Sequence, residues 1–170
     1  MQAVEQVRSL YAYNAWANSQ VLEATAALSE DERSSELGAS FGSVQGNLWH
    51  LLSAQSIWLS RWTGSEFSPV PPPQGAGALD TLRHGFESSH AAIGGYMASL
   101  TDEALDGDVS YTDTLGAAQR LPLWQTLLQV ANHGTHHRAE IALVMTGLVS
   151  RHASSTTSSS RSNARAARRD

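Results

Sequence analysis

The stretch PLWQTLLQVANHGTHHRAEIALVMTG, residues 122–147, decides how the chain folds. From Leu123 to Met145, Leu, Ala and Val recur at helical spacing; Pro122 suits the first turn and Gly147 closes the helix. Within it lies Asn132-His133-Gly134-Thr135-His136-His137-Arg138. At about 100° per residue, His133 and His137 sit about 40° apart and one turn along, so both imidazoles can reach one ion. The same spacing serves HExxH motifs. His136 lies about 60° away on the other side of His133, so spacing alone equally permits an i, i+3 pair.

A site of this kind takes three protein ligands and leaves one coordination position for solvent or substrate. The third is sought on another helix. Ser43 is a plausible N-cap, and Val44, Leu48, Leu51, Leu52, Gln55, Trp58 and Leu59 form a stripe reaching Trp62, with His50 in its middle. A buried imidazole there needs a partner. One hydrogen bond would satisfy it, but an HxxxH on another helix favours ligation. His84 and His90 read as ordinary helix residues, and His152 falls in the tail.

Two further helices complete the pattern. Val7, Leu10, Tyr11, Ala17, Val21, Ala24 and Leu28 recur at three- and four-residue steps over Val4–Leu28 with neither Gly nor Pro between them. Ser29 before Glu30-Asp31-Glu32 caps a short helical piece, which Gly38 and Gly42 break. Proline and glycine positions that include Pro69, Pro71, Pro72, Pro73, Gly75 and Gly77 mark residues 63–78 as an exposed crossover loop. Near Asp80 a helix begins that carries Leu82, Phe86, His90, Ile93 and Met97 on one face. Thr101-Asp102-Glu103 opens a turn, and Val109-Ser110-Tyr111 with Ala118-Gln119-Arg120-Leu121 suggests a small hairpin or extended loop. The fold class is therefore all-α: a four-helix bundle with a long crossover loop and a small hairpin before the last helix.

Composition narrows the chemistry. The chain has 170 residues, no cysteine and no lysine, so disulfides and thiolate ligands are excluded and a metal must be held by His and carboxylates. Arg151, Arg161, Arg165, Arg168 and Arg169 lie in the last twenty residues, leaving six arginines against fifteen acids in residues 1–150. An acidic body argues against nucleic-acid binding, except through the basic tail. Residues 1–150 are expected to form one domain and 151–170 a disordered Ser/Arg-rich tail, because the latter has no large apolar residue to bury. No secretory signal or membrane-length apolar run is evident, so the expected location is cytoplasmic.

Tyr13-Asn14-Ala15-Trp16-Ala17-Asn18, Ser40-Phe41-Gly42-Ser43-Val44, Leu48-Trp49-His50-Leu51-Leu52, Trp58-Leu59 with Trp62, and Asn132-His133-Gly134-Thr135-His136-His137-Arg138 together resemble the DinB-like superfamily of DNA-damage-inducible helical bundles. The resemblance runs in order from about residue 6 to 148. It implies one nickel- or zinc-type ion on His50, His133 and His137, with His136 at a non-ligand position. It further implies a dimer, and activities that include thiol-dependent S-transfer and isomerisation with a low-molecular-weight thiol. The family's further short helical segment after the last bundle helix is replaced here by the Ser/Arg tail.

The expected function is metal activation of such a thiol, or of water, for transfer or hydrolysis on a small electrophile. A non-catalytic, metal-containing binding or stress-response module is the alternative. No side chain is assigned as catalytic; the reacting group would be a bound water or thiol. Arg138 could receive a carboxylate of substrate or cofactor, or form a surface salt bridge. Asn14 and Asn18 could line the pocket or orient a ligand. Trp16, Trp49, Trp58 and Trp62 fit either a pocket wall or plain core.

Overall fold

Val4, Val7, Tyr11, Asn14, Ala17, Asn18 and Leu22 are the buried positions of α1 (Ala3–Ala24); Val7, Tyr11 and Ala17 belong to the expected stripe, whereas Leu10 and Val21 are half-buried and Ala24 is exposed, their places on the buried face being taken by Asn14, Asn18 and Leu22. The computed structural model describes residues 3–166, with side chains through Leu148. The first helix ends earlier than Leu28. It tightens into a 3-10 turn at Thr25–Ala27, where the Thr25 hydroxyl donates to the Leu22 carbonyl at 2.7 Å. Ser29 then caps α2 (Glu30–Ser34) through reciprocal bonds with Glu32.

The Ser43 side chain accepts from the Gly46 N–H at 3.0 Å and starts α3 (Val44–Thr63). Gly64, at φ 69°, supplies the left-handed residue that ends it. Residues 64–77 form the crossover; Trp49 Nε1–H donates to the Val70 carbonyl at 2.9 Å and Gln45 Nε2–H to that of Pro73 at 3.1 Å, pinning the loop to α3. α4 (Ala78–Ser99) and a short α5 (Asp102–Leu105) follow. The expected hairpin is present: β1 (Asp108–Thr112) pairs antiparallel with β2 (Ala118–Pro122), with Val109 opposite Leu121.

Two expectations about the last helix change. Pro122 is the final residue of β2, opposite Asp108, not a residue of the helix; the end of a strand tolerates its missing N–H. The backbone of α6 (Leu123–Ala166) continues through Gly147. A single glycine costs a helix only about 1 kcal/mol, and no proline follows to enforce a stop. Side chains beyond Leu148, and all of residues 167–170, lie outside the described residues; of the segment expected to be disordered, residues 151–166 are described only as helical backbone.

The architecture is mostly helical with one two-stranded hairpin. α1 packs on α4 and α6, and α3 packs on the same two helices. Cross-helix bonds give the directions. Tyr11 reaches Leu127 while Asn18 reaches Arg138, so α1 and α6 run the same way. Asn47 meets His137 while Trp62 meets Thr126, so α3 runs against α6. Arg8 meets Met97 while Asn18 meets His90, so α4 runs against α1 and hence parallel to α3. Parallel neighbours need a connection that returns along the length of the helices, which residues 64–77 provide.

The core divides in two. One apolar cluster holds Val7, Tyr11, Trp62, Ile93, Met97 and Leu127; the other holds Leu22, Leu48, Leu51, Leu82, Phe86 and Ile141. Between them every long helix contributes buried polar side chains: Asn14 and Asn18, Gln55, Ser89, and His137 with Arg138. Burial of each large apolar side chain is worth about 1.5–3 kcal/mol, so the two clusters carry the fold and the layer between them is free for chemistry. No helix among the described residues is long and apolar enough to cross a membrane.

Candidate metal centre

One edge of that polar layer is made of imidazoles. His50 projects from the middle of α3 and His133 and His137 from successive turns of α6. His133 Nε2 stands 3.0 Å from His50 Nε2 and 3.1 Å from His137 Nε2. Whichever tautomer His133 takes, its single Nε2 proton or lone pair cannot satisfy both contacts as ordinary two-centre hydrogen bonds. Bonds of about 2.0–2.1 Å from imidazole nitrogens to one ion, at angles near 90–110°, would separate those nitrogens by about 2.9–3.4 Å. The observed spacings fit, and these three residues could hold a metal ion.

The orientation of His137 is fixed from behind. Its Nδ1–H faces Glu140 Oε2 at 2.9 Å and Asn47 Oδ1 at 3.2 Å. Asn47 is itself held by donation from Nδ2 to the Ser43 carbonyl at 2.9 Å. With its proton on Nδ1, His137 turns the lone pair of Nε2 toward the other two rings, the arrangement carboxylates impose on metal-binding histidines. The other Glu140 oxygen accepts from the Ser40 hydroxyl. That bond and the one to His137 hold the Glu140 carboxyl below the usual carboxylate range.

Ser40 belongs to the loop that roofs the site. The Phe41 ring stacks on His50 with centroids 3.6 Å apart and meets His137 edge-on. Gly42 turns the loop at φ 75°, and a Cβ on Gly46 would lie 2.2 Å from the Phe41 carbonyl oxygen. Only glycine at position 46 lets this loop settle on α3. Phe41 remains 40% exposed, so the roof leaves the site partly open.

Burial and the neighbouring His133 and His137 lower His50 to about 4, and burial and His137 also lower His133. Both rings are thus neutral near pH 7, the form that ligates. His136 is turned outward, 66% exposed and 3.5 Å from Glu140 Oε1. It is His137, and not His136, whose ring nitrogen lies with those of His50 and His133, while His136, His137 and Glu140 form a second, more exposed group that could hold a metal ion.

Arg138 is neither on the surface nor in a salt bridge among the described residues. It is buried, with Nη1 donating to Asn14 Oδ1 at 2.6 Å and Asn18 Oδ1 at 2.7 Å, and Nη2 to Thr135 Oγ1 at 3.0 Å. Burial lowers its pKa from the ordinary arginine value. A Cβ on Gly134 would come within 2.7 Å of Asn14 Oδ1, so glycine there makes room for the network. Trp62 is core, donating to Thr126 at 3.0 Å, and Trp16 is exposed; neither walls the histidines. Asn47 and Glu140 carry no role in the sequence reading, and Phe41 enters it only within the Ser40–Val44 stretch, with no role of its own. The i, i+3 relation of Glu140 to His137 was a usable signal; Phe41 meets His50 only through the loop's path.

A model of the DinB family matches residues 1–148. A solved structure described as that of a conserved protein of locus from Enterococcus faecalis aligns with a TM-score of 0.62 at 12% identity, over 85% of this chain and 95% of that one, a likeness of fold. No curated protein matches the chain.

Proposed function

The chain belongs to the DinB family, and on that premise we propose that it is a four-helix-bundle metalloenzyme in which His50, His133 and His137 hold one nickel or zinc ion. The observation that carries this reading is the convergence of three Nε2 atoms, His133 lying 3.0 and 3.1 Å from the other two. An ion held by these three residues would supply Lewis acidity, which would lower the pKa of a water or small thiol.

The chain's own residues set the terms of that chemistry. Glu140 and Asn47 hold the His137 proton on Nδ1 and its lone pair inward. Phe41 covers His50 and restricts solvent from one side. With no cysteine in the chain, any reacting thiol comes from outside, and the electrophile must be small enough to pass the roof. The group offers three ligands, while Glu140 is engaged with His137 Nδ1 and Ser40. This favours an open coordination position over a closed structural one. The exposed Tyr13 and Trp16 of α1, with Trp124 and Leu128 of α6, support a homodimer, and the expected location is the cytoplasm.

Metal analysis of tag-free protein tests the first claim: near-stoichiometric nickel or zinc is expected, with loss on His133→Ala. Retention of the ion by that variant overturns the three-histidine reading. Turnover of small electrophiles with a panel of low-molecular-weight thiols, lost when the ion is removed, tests the enzymatic claim.

A further inference from the structure

A cavity of about 350 Å³ lies between α1 and α4, floored by Gln55 of α3 and away from the three histidines. Small-molecule pockets span roughly 300–1,000 Å³. Tyr11, Ile93, Gly94 and Met97 give it apolar walls, and Asn14, Gln55 and His90 gather at one end.

That end is rich in donors. Gln55 is 1% exposed; its Oε1 accepts from the Ser89 hydroxyl at 3.3 Å, and its Nε2 has no partner among the described residues. A buried amide N–H without an acceptor is rare and costly, so the side chain calls for an acceptor in the space it lines. Asn18 Nδ2 donates to His90 Nε2 at 3.3 Å, which leaves the proton of the neutral His90 ring on Nδ1 as a second donor. No acidic side chain lines the cavity. The Arg138 guanidinium, with no carboxylate among the described residues, stands directly behind Asn14. Arg8, at the opposite end, is already used by the Met97, Ala98 and Leu100 carbonyls and Glu5. From Arg8 to Ala15 α1 rises about 10 Å, room for a chain of several carbons.

We propose that this cavity binds a small monocarboxylate, its carboxylate accepting from Gln55 Nε2 at the Asn14–His90 end and its apolar tail lying along Ile93, Gly94 and Met97. The site is separate from the imidazole cluster and does not depend on the ion. Gly94 is exposed at the rim and a Cβ there meets nothing within 4 Å, so a larger side chain covers the mouth of the cavity without displacing its walls, and it replaces a glycine within a helix.

Titration calorimetry of the full, metal-replete chain with sodium octanoate tests the proposal, with octylamine as the oppositely charged control. One octanoate per chain is expected. Gln55→Met should weaken it by about tenfold or more, the loss of one hydrogen bond to a charged group. Gly94→Leu should abolish it, while both variants keep the metal content of the parent. The proposal is overturned by absence of octanoate binding to the parent, by octylamine binding as tightly, or by undiminished binding to Gly94→Leu. Binding lost in His133→Ala and kept in Gly94→Leu would place the carboxylate at the ion instead, and would overturn the cavity proposal while leaving the metal reading intact.

Discussion

Glu140 is a positioning residue: it touches His137 at Nδ1, on the side away from the other rings. Glu140→Gln should therefore keep the fold and weaken metal binding by about 10–100-fold, the usual cost of losing such a partner, as measured by competition with a chelator. An unchanged affinity would mean that Asn47 alone fixes the tautomer. His90 yields a pH prediction. Burial lowers its pKa below 6.5 in the folded chain, so as pH falls below 6.5 the unfolded chain takes up a proton more readily than the folded one. Stability from a neutral His90 is thus fully present above pH 6.5 and is lost progressively toward the lower, folded pKa. Urea unfolding at pH 7 and pH 5 should show a smaller acid loss for His90→Asn than for the parent. Of these residues, the histidines were legible because helical spacing is a local property. Glu140 shares that property, but the sequence does not say which of its neighbours a carboxylate will meet.

Gly46 ties the roof loop to α3, and the two elements stand or fall together. A methyl group there would lie 2.2 Å from the Phe41 carbonyl oxygen, which is backbone and cannot swing aside. Gly46→Ala should destabilise the chain by about 1–3 kcal/mol in urea titrations despite alanine's better helix propensity. It should also loosen metal retention, because the displaced loop carries both Phe41 and Ser40. The long helices and the hairpin were readable because periodicity and turn residues are encoded locally. Helix ends were less so. Pro122 fits a helix start as well as a strand end, and its pairing with Asp108 decides between them. Gly147 is a weak stop with nothing following to reinforce it. Arg138 misled for a different reason: an arginine next to a ligand suggests a surface ion pair, but Asn14 and Asn18, more than a hundred residues away in sequence, bury it.

At the scale of the molecule, the family match covers residues 1–148, the span in which the side chains of the two apolar clusters and the polar layer are described. We infer that residues 1–150 are the functional domain. Deleting 151–170 should leave metal content, and the midpoint of thermal unfolding of the metal-loaded protein, unchanged within about 2–4 °C; loss of the ion on truncation would assign the C-terminal segment a part in the site. Parallel α3 and α4 have one more consequence. The crossover at 64–77 separates His50 from His133 and His137, and each side of it contributes to both apolar clusters. A chain opened in that loop would leave each fragment with an incomplete ligand set, so recovery of the ion upon mixing would report complementation, making the site a built-in gauge of whether the halves have found each other.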